Sequence, residues 1–376
     1  MLGLEAAFLG VALIVGGPSG GPRVCAAEFR GWFEAALGGR LAIPEPVARR
    51  AGRFRYVFVG GFRTGPMPGY FAQNAAELRA NGVPRRRIHF LFPSSRRGVE
   101  ENRAAVREEL IRIAEAGPER LVVIAHSRGA CDALAFALHE PQFVRERVEA
   151  LFLIQGAFGG TGLADYLLGT GEPMDGRMPR GHRLLAAVLG TMERLRLRRG
   201  GHAGLAGLSR EASRAYWRRL LEEHAEAIPV VGPKVYYVES RARPLRLALF
   251  QRAMSWYLGA YYGPNDGVVA LDDQSLPGLG TRLGVLEAGH ADLTRRSPAS
   301  RVGRRSRQAL IQAILMTVGR SALAAEESPR GRPWITLSQR PGDQGSVSGS
   351  ARSAELSVRR LTHLVTRSLW QPSRSM

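Results

Sequence analysis

The sequence predicts an α/β fold with a mostly parallel central sheet flanked by helices, and three observations carry that prediction. Short β-rich runs recur with helical segments between them, the order that builds a parallel sheet covered on its faces. The runs are continuously apolar rather than alternating, as strands buried on both sides require. Between two of them, ENRAAVREELIRIAEA repeats Val106, Leu110, Ile113 and Ala114 at three and four residues, the pattern of an amphipathic crossover helix.

The predicted strands are RYVFVGGF (55–62), RIHFLFPSS (87–95), RLVVIAHS (120–127), VEALFLIQGAF (148–158), KVYYVES (234–240) and RLGVLEAGH (282–290). After the fourth, the strand pattern stops from about Gly159 to Pro233, far longer than an ordinary connection, so a folded helical insertion is expected at 159–233. It holds two helical stretches. In the second, SREASRAYWRRLLEEHAEA, Ser209 is placed to cap and Tyr216, Trp217, Leu220 and Leu221 form an apolar stripe. The main domain is read over 41–320. Residues 321–376 turn to Ser, Gly, Pro and Arg and read as a basic, low-complexity, flexible tail.

Residues 1–40 read as an apolar leader or an N-terminal helix. LEAAFLGVALIVGG has the length of a signal-peptide core and CAA follows it, but no basic residue precedes it and Glu5 interrupts it, so export and retention both stay open. With 376 residues and 45% hydrophobic content, the chain can bury a large core. Its net charge of +20 is almost all arginine, Lys234 being the only lysine. No zinc-finger spacing, aromatic RNA-binding strand or basic zipper accompanies that charge, so no nucleic-acid partner is expected. Two cysteines, Cys25 and Cys131, cannot make a disulfide framework or a multi-thiolate metal site.

The chemistry centres on AHSRG, residues 125–129, where an apolar strand runs into a helical segment. A nucleophilic serine at a strained strand-to-helix turn needs small residues two before and two after it, here Ala125 and Gly129. Such a serine also needs a base and an acid to orient that base. YYGPNDGVVALDDQS offers Asp266 in Asn-Asp-Gly turn chemistry, with Asp272 and Asp273 as neighbouring alternatives. RLGVLEAG then ends in His290, favoured over His363 in the tail. His126 is expected to hydrogen-bond inside the turn, and Cys131 to be a small core residue.

With these pieces in place the chain resembles an α/β-hydrolase, and specifically bacterial triacylglycerol lipases and esterases, over about residues 54 to 315. The matching segments are GYFAQNAAELRANGV, AHSRG, LAGLSREASRAYW, PNDGVV and GHAD. The resemblance implies an ester or lipid substrate, with Ser127 as nucleophile, His290 as base and Asp266 as orienting acid. One oxyanion donor should be the Arg128 main-chain N–H. The second should come from Gly60-Gly61-Phe62, where many lipases carry a His-Gly pair, and Phe62 N–H is the choice. An arginine-rich surface is compatible with association with a lipid surface. No cofactor is required by this chemistry, but Asp292, two residues after His290, stands where calcium-binding lipases place a ligand. The alternative role for Asp292 is to cap a helix or pair with Arg295 or Arg296. Two rival functions use the same fold: acyl transfer to an acceptor other than water, and a non-catalytic protein that binds anionic lipid surfaces.

Overall fold

In the computed structural model the described residues are 24–62, 69–197, 202–295 and 303–327. The N-terminal apolar run and the tail beyond residue 327, His363 included, lie outside the described residues.

Strands β1 (Arg55–Val59), β2 (Ile88–Leu91), β3 (Leu121–His126), β4 (Val148–Ile154), β5 (Val235–Arg241) and β6 (Thr281–Glu287) fall on the six apolar runs. They form one sheet in the order β2-β1-β3-β4-β5-β6, and every pairing is parallel. All strands therefore end on the same edge, where a parallel sheet presents its loops. The central strands β1 and β3 are buried along their whole length, which is why their sequences show no alternation.

The first half of the chain supplies α1 (Ala26–Leu37), α2 (Glu45–Ala51), α3 (Ala72–Ala80), α4 (Val99–Glu115), α5 (Arg128–His139) and α6 (Pro141–Arg147). Between β4 and β5 lie α7 (Gly162–Leu168), α8 (Arg180–Leu197), α9 (His202–Ala206), α10 (Arg210–Glu223) and α11 (Ile228–Val231). The chain continues with α12 (Leu249–Tyr261) before β6 and α13 (Gly303–Glu327) after it. Side chains of each strand alternate between two cores: Val57, Val123 and Leu151 face α4 and α5, while Tyr56, Val122 and Phe152 face the side held by α1, α3 and α13.

Two boundaries differ from the sequence reading. Helix α1 packs on α13 and β6 with Phe29 and Phe33 buried, so the folded unit includes residues before 41. Helix α13 runs to Glu327, because Leu310, Ile314 and Leu315 are buried in the same core and stabilise the helix ahead of the polar tail. Its Gly319 allows close approach of α2, since a Cβ there would stand 2.5 Å from the Val47 carbonyl oxygen.

The insertion packs on the body of the domain. Helices α10 and α11 pack on α5, so Arg128 through Leu138 is buried on every side rather than along one stripe. Ser209 caps α10 by accepting the Ala212 N–H at 3.3 Å, and Trp217 meets Phe158 edge-on at 5.2 Å. Helices α7 and α8 pack instead with α12, which lies outside the predicted insertion. The single lysine, Lys234, closes the C-terminal end of α6 by donating to the carbonyls of Val144, Arg145 and Val148. Burial lowers its pKa to about 8.

Candidate active site

The strand β3 runs straight into α5 through Ser127, whose backbone has φ 58° and ψ −129°. A positive φ in a residue with a side chain costs of order 1–3 kcal/mol, roughly, and persists only where its surroundings enforce it. Here they do. A Cβ on Gly129 would stand 2.4 Å from the Gly60 carbonyl oxygen, and one on Gly61 would stand 2.9 Å from Ser127 Cβ. The turn thus presses the end of β1 against the start of α5, and only glycine fits at both contacts.

Asp266 and His290 converge on this turn from 24 residues apart in sequence. His290 Nε2 lies 2.8 Å from Ser127 Oγ, and His290 Nδ1 lies 2.8 Å from Asp266 Oδ2. The main-chain N–H of His290 also donates to the Asp266 carbonyl at 2.9 Å, so backbone and side chain fix the pair together. Asp266 is fully buried, and its Oδ1 accepts the N–H groups of Val268 and Val269 at 3.0 and 2.8 Å. These two donors occupy Oδ1 and leave Oδ2 to face His290. Its turn is closed by Asn265, whose Oδ1 accepts the Gly267 N–H at 2.9 Å, with Gly267 at φ 95°.

Of the alternatives, Asp273 is buried but taken by Arg210 and Arg214 of α10, at 3.1 and 3.2 Å. Burial raises its pKa despite those two cations. Cys131 is buried and its thiol is pushed well above the usual range by desolvation, which removes it as a nucleophile.

His126 lies inside the turn as expected, and the structure adds a polar network that sequence reasoning missed. His126 Nδ1 meets Tyr70 Oη, and Nε2 lies 3.0 Å from Gln155 Oε1 and 2.7 Å from the His290 carbonyl. Desolvation first, and then the neighbouring His290, lower the His126 pKa to about 3, so it is held neutral. Gln155, at φ 49° after β4, donates to Ser240 Oγ and to the Gly289 carbonyl. Gln274 in turn donates to the Ser240 carbonyl at 2.8 Å and approaches Asp266 Oδ2 at 3.4 Å. The signal for Gln155 was present: it is the one polar residue at the end of the apolar run VEALFLIQGAF.

The two residues expected to supply oxyanion donors are both close to the serine in the chain trace. Arg128 opens α5, and Phe62 follows Gly61, which touches Ser127. Among the described residues neither main-chain N–H has a hydrogen-bond acceptor. Ser127 is enclosed, with 9% of its surface exposed.

Asp292, the calcium candidate, is engaged by a main-chain donor. Its Oδ2 accepts the Gly289 N–H at 2.9 Å, closing the turn that carries His290. Glu239, near the end of β5, is taken by Ser275 at 2.6 Å and by Arg282 at 2.8 Å. No group of three or more His, Cys, Asp or Glu residues placed to hold a metal is found among the described residues.

No family model and no curated protein sequence matches the chain. Among solved structures it is similar to a carboxyl esterase from a metagenome, at 23% identity over 71% of this chain and 76% of that one, with a TM-score of 0.52. It is less similar to the mature form of a Bacillus licheniformis lipase, at 18% identity over 66% of this chain and 88% of that one, with a TM-score of 0.46. The fold is that of the α/β-hydrolases.

Proposed function

We propose that the protein is a serine hydrolase of carboxylic esters of the lipase or esterase type. The observation that carries this reading is the unbroken chain Ser127 Oγ, His290, Asp266, with both hydrogen bonds at 2.8 Å and the serine held at φ 58°. In the proposed reaction Ser127 Oγ attacks the ester carbonyl as His290 Nε2 takes its proton. Asp266 holds the imidazole tautomer and stabilises the imidazolium. The N–H groups of Arg128 and Phe62 receive the developing oxyanion, and His290 returns the proton to the departing alcohol. Water, deprotonated by His290, then releases the acid from the acyl-enzyme.

A lipid-like ester is favoured by the apolar surface beside the site. Leu247 packs against Gly267 and Gly289, the neighbours of Asp266 and His290. Its own neighbours Leu245 and Leu249 are 75% and 57% exposed. On α8, which packs against α12, Leu184, Val188 and Met192 form a second exposed stripe at four-residue spacing. Exposed apolar clusters of this kind mark contact surfaces, and with a net charge of +20 this one suits an anionic lipid surface.

The test is hydrolysis of p-nitrophenyl esters of graded acyl length by the wild-type protein and by Ser127→Ala. Activity that disappears with the hydroxyl and peaks at medium or long chains supports the reading. Folded wild-type protein with no activity above the variant, but with binding to anionic vesicles, would replace it with the non-catalytic reading. Transfer of the acyl group to an added alcohol in preference to water would make the protein an acyltransferase.

A further inference from the structure

We infer, on the reading of Ser127 as nucleophile, that the side chain of Arg128 is a positioning residue that fixes the spacing of the two oxyanion donors. Arg128 contributes one donor through its own main chain, and its side chain reaches the other. The guanidinium carbon lies 5.9 Å from the centre of the Phe62 ring, at the outer edge of cation–π range. Phe62 carries the second N–H and follows Gly60-Gly61, a pair with no side chains of its own to brace the loop. The Gly60 N–H is tied to the Leu91 carbonyl at 2.8 Å, which fixes the start of this loop.

The brace is itself anchored. Arg128 is 2% exposed, and its hydrogen bonds run through Nη2, Nη1 having no hydrogen-bond partner among the described residues. Its Nη2 donates to the carbonyls of Ser94, Arg97 and Gly98, three oxygens of the loop between β2 and α4. Its Nε faces Asp132 Oδ1 at 3.8 Å, one turn along α5. Asp132 is held from α4 by Asn102 Nδ2 at 3.2 Å, and the same Nδ2 reaches the Ser94 carbonyl at 3.1 Å. Loop 94–98, α4 and α5 thus hold the guanidinium group in place, and the Phe62 ring lies on the same group with its centre 5.9 Å from the guanidinium carbon.

A helical layer touches the grip as well. A Cβ on Gly204 of α9 would stand 2.1 Å from the Ser95 carbonyl oxygen and 3.0 Å from Arg128 Nη1. Burial drives the Asp132 pKa up to about 7 against the pull of Arg128 and Asn102, which shows how fully this cluster is withdrawn from water.

The inference is tested with Arg128→Met, which keeps the N–H and most of the apolar stem, and with Phe62→Ala, which keeps the N–H and removes only the ring. Each is measured for kcat and KM on a p-nitrophenyl ester, for inhibition by an alkyl boronic acid that forms a tetrahedral adduct on the serine, and for active-site concentration by fluorophosphonate titration. Loss of one oxyanion interaction costs about 10²–10³-fold in kcat, and a misaimed donor should cost about ten- to a hundredfold. The expected result for both variants is that fall per titrated site, a parallel loss of boronate affinity, and a KM within about threefold of wild type. The double variant should be little worse than either single one, because both remove the same contact.

A purely structural role would lower the titrated fraction and leave kcat per site unchanged, and that outcome overturns the inference. Should Arg128→Met not fold, Phe62→Ala decides: unchanged kcat and boronate affinity overturn it. A wild-type protein that neither titrates nor hydrolyses any ester would overturn the reading of Ser127, and this inference with it. An active wild type beside unaffected variants removes this inference alone.

Discussion

Substituting Gly129 by alanine puts a methyl group in place of a hydrogen at the tightest contact in the turn. The new Cβ would stand 2.4 Å from the Gly60 carbonyl oxygen, 2.8 Å from that of Val59 and 2.9 Å from Gly60 C, all main-chain atoms that cannot rotate away. Ordinary contact begins near 3.4 Å, so β1 and α5 must separate by about 1 Å. That separation opens between Ser127, two residues before the substitution, and Phe62, two residues after Gly60. Misplacing reacting groups by about 1 Å costs about 10²-fold in rate, and overpacking a core contact costs about 1–3 kcal/mol. Gly129→Ala should therefore lose about 10²-fold in kcat/KM while remaining folded. The assay is ester hydrolysis beside urea unfolding of the same preparation. Gly181→Ala serves as control, because nothing lies within 4 Å of the added carbon there. A Gly129→Ala enzyme within about threefold of wild type per folded molecule would refute the argument that this contact sets the site.

Three further outcomes are expected. Asp266→Asn keeps an acceptor for the Val268 and Val269 N–H groups but presents the wrong partner to His290 Nδ1, so kcat should fall by about 10⁴ with little change in unfolding midpoint; a loss below about tenfold would remove Asp266 from the triad. His126 protonates at about 3 in the folded chain against 6.5 in the unfolded one, so the unfolded state binds the extra proton between those values. Its contribution is complete above pH 6.5 and is lost as pH falls toward 3, by up to about 1.4 kcal/mol per pH unit. Denaturant midpoints of wild type and His126→Gln on either side of pH 6.5 check this, and parallel pH profiles would contradict it. Asp273→Ala leaves Arg210 and Arg214 without their buried carboxylate; since these arginines are 24% and 29% exposed, the cost should be near the low end for such a pair, about 3 kcal/mol by urea unfolding.

The sequence by itself determined the sheet and singled out three polar residues that the fold brings within hydrogen-bond reach of one another. Unbroken apolar runs such as LVVIA are stable only as strands covered on both faces, so their positions are legible without knowing their neighbours. Ser127, Asp266 and His290 are legible for a related reason: each lies in local turn chemistry, small residues around the serine and Asn-Asp-Gly around the acid, that needs no distant partner to recognise.

Tertiary structure decided what depends on contact between distant segments. That α5 is buried on every side follows from α10 and α11 lying on it, and nothing within RGACDALAFALH announces those partners. The same holds for the boundary before residue 41, set by α1 packing on α13 from the far end of the chain. Asp292 and Asp273 are chemically alike in sequence, yet one closes the turn at Gly289 and the other binds two arginines of α10. Neither assignment could be made from residue type, because a carboxylate's role is fixed by which donors the fold brings within hydrogen-bond reach. The network of Tyr70, His126, Gln155, Ser240 and Gln274 joins five segments through buried polar groups, and its partners become defined only when the strands carrying them lie side by side.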